Sequence, residues 1–224
     1  GMLKYQLTTA TTRATMSTKA RAEKPTPGQV VPFSGTVAPT LAKSNVVATS
    51  DYQASDWLTT LTYSESLYSY LGESDVKMPN ALAQYFYVDK KTYPNGFNLT
   101  ALKFQGHNGE DPVIEIYDGS RSISTASLIQ KVDYSLWAYN YNITLGEQIY
   151  FAPGTSFWVV AKFPAGAKNP LGAGKTSRDD VAQYSFYSSN NGATWTQLTE
   201  VLKGSSFEAV SDHLTWAVQA ISAN

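Results

Sequence analysis

From residue 51 onward, hydrophobic and polar positions alternate in short runs separated by Gly, Pro, Asn and Asp. In YNYNITL, Tyr139, Tyr141, Ile143 and Leu145 share one parity, and Asn140, Asn142 and Thr144 share the other. A repeat of two puts successive side chains on opposite faces, so this run reads as a strand with one buried and one wet face. HLTWAVQAI alternates in the same way, with Leu214, Trp216 and Val218 inward and Thr215 and Gln219 outward. FWVVAKF is apolar on both parities and reads as a central strand covered on both sides. LTTLTY, ALAQYFYV, LTALKF, VIEIY, LIQKVDY, IYF and AQYSFYS with TWTQL complete a set of about ten short strands. The connections are YLGESD, DKKTYPNG, GHNGEDP, DGS, GEQ, APGT, NNG and the Gly/Pro-rich PAGAKNPLGAGKTSRDD. No window of about twelve residues carries a helical stripe, so the pattern predicts an all-β sandwich or barrel.

Composition agrees. Charged residues make up 16% and aromatic residues 13%, with 15 Tyr, a balance suited to half-buried strands. The net charge of −1 supplies no field for nucleic acid or an anionic membrane. No run approaches the roughly 18 apolar residues of a membrane-spanning helix, so no membrane insertion is expected. The chain has no cysteine, which excludes disulfides and thiolate chemistry. The first residues show no secretory leader, and Gly1 reads as a tag remnant after removal of any native one.

Residues 1–50 differ in character. They hold ten Thr and four Pro, with only Tyr5 and Phe33 as aromatics. Six basic residues (Lys4, Arg13, Lys19, Arg21, Lys24 and Lys43) face one acid, Glu23. The overall charge of −1 therefore divides into +5 here and −6 beyond. A segment so poor in large apolar side chains buries little against its ordering entropy. It is expected to be a linker or extended arm, residues 1–50, ahead of a sandwich domain, residues 51–224. VVPF and NVVATS within it are candidate edge strands.

YSSNNGATWTQL contains Ser188, Asn190, Gly192, Thr194 and Trp195 in the spacing of the Asp box of sialidase-type propellers, with Asn190 at the Asp position. That box is a hairpin turn stabilised by side-chain acceptors and a glycine. Propellers repeat every ~40–50 residues, and this chain shows one copy and no repeat. After residue 50 only Arg121 and Arg178 are arginine, too few for a sialidase carboxylate cluster. The motif therefore predicts a hairpin and not a glycosidase.

Five stretches in this order carry a resemblance: GFNLTALKFQGHNGEDPVIEIYDG, NITLGEQIYFAPGTSFWVVAKFP, NPLGAG, YSFYSSNNGATWTQL and LTWAVQAIS, within residues 81–222. Together they resemble jelly-roll accessory domains attached to secreted Bacteroidetes subtilisin-like serine peptidases and, more distantly, gingipain-type adhesin modules. The resemblance implies a jelly-roll-like antiparallel β-sandwich that is noncatalytic, lies outside the cytoplasm in the periplasm, at the cell surface or beyond it, and works beside a neighbouring catalytic domain, a host protein or a glycan.

Candidate chemistry is sparse. His107 lies in GHNGED and His213 opens the last strand; no G-x-S-x-G or H-E-x-x-H accompanies them. Glu115, Asp118 and Asp133 are candidate carboxylates for glycoside chemistry, although the sequence does not place them face to face. GKT at 174–176 lacks the first glycine of a phosphate loop. No resident cofactor is expected beyond a structural calcium, for which Glu73, Asp75, Asn108, Glu110 and Asp111 offer loop oxygens, as do Asp179 and Asp180. Trp137, Tyr139 and Tyr141 form an aromatic stripe open to two readings, a buried face or a platform for stacking a sugar. Three function classes follow: an accessory or adhesion module, a carbohydrate-binding module, and a hydrolase.

Overall fold

The computed structural model describes residues 37–39, 58–73, 77–104, 112–118, 121–133, 141–167 and 169–223. VVPF, NVVATS, His107 and most of residues 1–50 lie outside them. The strands are β1 (Val37–Pro39), β2 (Leu58–Leu61), β3 (Ser66–Leu71), β4 (Asn80–Tyr87), β5 (Phe97–Phe104), β6 (Val113–Asp118) and β7 (Ser127–Asp133). They continue with β8 (Tyr141–Phe151), β9 (Ser156–Phe163), β10 (Leu171–Lys175), β11 (Ser185–Ser188), β12 (Thr196–Gln197), β13 (Leu214–Trp216) and β14 (Val218–Ala223). One helical turn, α1 (Leu198–Val201), follows β12. Three sheets result, with orders β12-β11-β4-β9-β6-β7, β1-β8-β5-β14-β2 and β13-β10-β3.

The pairing is nested. β6 pairs with β7, β5 with β8, β4 with β9 and β2 with β14, all antiparallel. Successive rungs of this long hairpin fall in alternate sheets. Such a hairpin, wound around two facing sheets, is a jelly roll. The two sheets meet through phenylalanines: Phe157 of β9 stacks on Phe86 at 5.3 Å, on Phe151 at 4.3 Å and on Phe97 at 6.2 Å. All four rings are fully buried. FWVVAKF is central as its pattern requires, with β4 on one side and β6 on the other.

The outer face of β9 is closed by a cation. Arg121, only 3% exposed, lies 5.0 Å from the Tyr85 ring centroid and within 5.7 Å of those of Trp158, Tyr184 and Phe186. Its Nη2 donates to Gln183 O at 2.6 Å, while Nε finds no partner among the described residues. Burial pushes the Arg121 pKa down, and Tyr85 and Tyr184 oppose that shift.

Three expectations need correction. GEQ is not a turn, since β8 runs through it. The partners step from Leu99↔Ile149 to Ala101↔Thr144, so β8 bulges out between them. Gln130 of β7 fills the gap: its Oε1 accepts from Gly146 N and its Nε2 donates to Glu147 O, both at 3.1 Å. HLTWAVQAI is not one strand, because the chain changes sheets at Ala217, between β13 and β14. Thr215, expected outward, is fully buried and hydrogen-bonded. The third sheet, built on LGAGK where a Gly/Pro-rich connection is expected, is the largest departure. β10 lies between β3 and β13. A Cβ on Gly174 would sit 1.8 Å from Ser64 Oγ, so only glycine allows the close approach.

Candidate functional site

The jelly roll is completed by β2, β4–β9 and β14, and what is inserted into it builds the site. β3 enters between β2 and β4; β10 to β13 and α1 enter between β9 and β14. These insertions enclose an open groove of about 430 Å³. Tyr70 and Leu71 of β3 form one wall; Leu198, Val201 and Leu202, in and just after α1, form the other; Trp216 and Tyr187 line it from β13 and β11.

Each wall has a local cause. β3 ends at Gly72, whose φ of +131° and 2.6 Å approach to Pro170 Cδ exclude a side chain. Asn80 then clamps the chain, its Oδ1 accepting from Glu73 N at 3.3 Å and its Nδ2 donating to Glu73 O at 2.8 Å. Tyr187 Oη also donates to Asn80 Oδ1. Burial pushes the Tyr187 pKa up, and the Glu73 charge adds to it. On the opposite side Leu198 and Leu202 are buried while Val201 is exposed, so one turn of helix both anchors itself and offers an apolar surface. The loop after it is held by Ser205 Oγ donating to Leu202 O and by Gly204 N donating to Glu208 Oε1. Phe207 meets exposed Tyr68 edge-on at 6.1 Å.

Trp216 is fixed from behind. Its Nε1 donates to Phe186 O at 2.8 Å, and its backbone N–H donates to Gln84 Oε1 at 3.2 Å. Gln84 Oε1 also accepts from Ser185 Oγ at 2.7 Å and Thr215 Oγ1 at 3.0 Å. Gln84, Ser185, Thr215 and Trp216 are buried, and Phe186 is half-buried. This network stitches β13 of the small sheet to β4 and β11 of the large one.

Of the calcium candidates, Glu73 lies on the groove, whereas Asp75, Asn108, Glu110 and Asp111 are outside the described residues. Asp180 is engaged by Arg178 in a two-pronged pair at 2.9 and 2.8 Å. Among the described residues no three His, Cys, Asp or Glu side chains gather as a metal set. In the aromatic stripe Trp137 and Tyr139 lie outside the described residues, and Tyr141 opens β8 opposite Phe104. His213 Nδ1 lies 3.2 Å from Thr176 O, a contact within the fold.

Glu115, buried on the face of β6 away from Ile114 and Ile116, lines a smaller recess of about 230 Å³. Its carboxylate accepts from Tyr117 Oη and from Lys162 Nζ, the latter 3.2 Å from Oε1. Burial, followed by that carboxylate, pushes the Tyr117 pKa up. The Asp-box-like stretch is a hairpin between β11 and β12, as its residues predict. Ser188 Oγ accepts from Asn190 N and Gly192 N, and Asn190 Oδ1 accepts from Ser188 Oγ and Thr194 N.

No family model and no curated protein matches the chain. Solved structures of the clostridial cysteine protease Cwp84 are similar in part. One, determined after propeptide cleavage, aligns at 13% identity and a TM-score of 0.45, over 77% of this chain and 42% of that one. Another holds the cysteine protease and lectin-like domains of Cwp84, a surface layer associated protein of Clostridium difficile. It aligns at 12% identity and a TM-score of 0.45, over 77% of this chain and 37% of that one. The chain therefore spans less than half the length of these proteins.

Proposed function

We propose that this chain is a noncatalytic accessory module of an exported protein, and that it holds a partner in the groove beside a neighbouring catalytic domain. One observation carries this reading: the elements added to an already complete jelly roll converge on an open apolar groove. Eight strands suffice for the roll, so β3, β10, α1 and β13 are the parts free to carry function. The volume lies within the range of ligand sites. Exposed Val201 and Tyr68 beside it are surface apolar groups of the kind that mark a docking face. The resemblance of segments in residues 81–222 to peptidase accessory domains supports the same role.

The test is titration of the purified chain with N-phenyl-1-naphthylamine, a neutral apolar fluorophore. Saturable enhancement that disappears in Val201→Asp, at an unchanged melting temperature, is the expected result. Equal enhancement in both proteins, or none in either, removes the groove reading. Turnover of a peptide or glycoside substrate by the purified chain, lost in Glu115→Gln, removes the noncatalytic one.

A further inference from the structure

The groove has a chemical polarity that narrows its occupant. Leu71, Leu198, Val201, Leu202, Phe207 and Trp216 give it an apolar lining, and of the hydroxyls beside them Ser205 Oγ and Tyr187 Oη already donate within the fold, to Leu202 O and Asn80 Oδ1. A saccharide presents hydroxyls all round its ring edge and needs convergent polar partners. Over the apolar part of the lining those hydroxyls would be dehydrated and unpaired, which disfavours binding. An apolar side chain carries no such penalty and gains from the same surface.

Glu73 is the one ionised side chain among the described lining residues. Asn80 holds its backbone, and its carboxylate makes no ion pair among the described residues. Among the described lining residues there is no lysine, arginine or histidine to balance it. The site thus combines an apolar trough with an exposed acidic side chain at one end, on a backbone held by Asn80.

We infer that the groove docks a polypeptide segment presenting an apolar side chain next to a lysine or arginine, with the cation at Glu73. This rests on the proposed docking function and adds the partner's class and orientation. Lysine and arginine suit such a place, because their methylene stems lie along apolar surface while the charge reaches the end.

The probe is the N-acetylated pentapeptide amide Gly-Phe-Leu-Lys-Gly, with counterparts carrying Gln or Glu in place of Lys. Each is titrated into the isotopically labelled chain, and amide shifts are followed by NMR. The Lys peptide is expected to shift the amides of residues 69–73 and 198–207. Its Kd should be about two- to fivefold tighter than that of the Gln peptide, the effect of one half-exposed ion pair. The Glu peptide should be weakest. Glu73→Gln should abolish the Lys-over-Gln preference yet keep the apolar binding, and Glu73→Lys should invert the order to favour the Glu peptide. Val201→Asp should lose all three.

Equal affinities for the Lys and Gln peptides overturn the charge assignment and leave the docking function standing. Groove shifts with cello- or malto-oligosaccharides but with no peptide overturn the polypeptide assignment alone. Absence of peptide shifts, together with absence of fluorophore binding, removes the groove as a site altogether.

Discussion

Replacing Gln84 by Met tests the network that holds the groove wall. Methionine keeps the length and nearly the volume of glutamine, so packing changes little and the loss is polar. Three donors lose their acceptor: Ser185 Oγ at 2.7 Å, Thr215 Oγ1 at 3.0 Å and Trp216 N at 3.2 Å. Two partial rescues remain. Ser185 Oγ and Thr215 Oγ1 lie 3.1 Å apart, so one hydroxyl proton keeps a partner. Trp216 N lies 3.3 Å from Ser185 Oγ. One buried hydroxyl proton is left orphaned, and Tyr85 O loses the bond from Gln84 Nε2. Together these predict a loss of about 2–3 kcal/mol. Thr215→Val removes a donor without creating an orphan and should cost only about 1 kcal/mol. The double variant again leaves a single orphaned hydroxyl, now on Ser185, so it should cost no more than Gln84→Met alone. The two changes should therefore fall short of additivity by about 1 kcal/mol. Equilibrium urea unfolding at constant m measures all three variants. A cost below about 0.5 kcal/mol for Gln84→Met, or additivity within about 0.3 kcal/mol, refutes the network as the link between the sheets.

Other parts of the fold give further expected outcomes. Asn190→Ala removes the acceptor for Thr194 N and Ser188 Oγ and should cost about 1–2 kcal/mol in urea unfolding, with the fluorophore still bound in the groove. Arg121→Met should stay within about 1 kcal/mol of the parent, because a well-packed apolar chain replaces a buried charge with no acidic partner among the described residues; Arg121→Ala should lose about 2–4 kcal/mol through the void beneath four rings. Burial raises the Asp118 pKa above its unfolded value, so the folded state penalises the ionised form. Asp118→Asn should thus raise the melting temperature at pH 7, and the gain should vanish as pH falls below the unfolded value near 3.8, where both states are protonated. Glu65 and Asp89 act in the opposite sense. Bonds from the Ser177 side chain and backbone lower the first pKa, and bonds from Thr92 lower the second. Their stabilisation should be present above the ordinary carboxylate range and lost as pH falls through the lowered values, read as a declining midpoint of acid unfolding.

The roll itself was legible in the sequence because its strands have a dry and a wet side. Ile143 and Leu145 are fully buried, as their parity requires, and Phe157 to Ala161 are buried on both faces. Legibility failed where a side chain replaced a backbone partner. GEQ looks like a turn because its ladder bonds go to Gln130, a residue distant in sequence. Thr215 looks like a solvent residue because its hydroxyl and the hydroxyl of Ser185 answer a buried glutamine more than a hundred positions away. Alternation records which face is apolar; it does not record which polar groups find each other across sheets.

The groove was hidden for a related reason. Its walls rest on β3 and β10, whose sequences SLYSYL and LGAGK carry weak strand signals. β10 is small because it must be: Gly174 packs against Ser64 with no room for a Cβ, so the residue that fits this strand is also the one that reads as a loop. β3 is half exposed, with Tyr68 and Tyr70 turned away from the main core, so its pattern lacks the buried parity that marks the other strands. The groove and its edge keep apolar side chains such as Val201 and Tyr68 outside the core. In a single sequence those side chains look like flawed strand or loop, and only the third sheet's arrangement around Trp216 brings them, with Glu73, to one place.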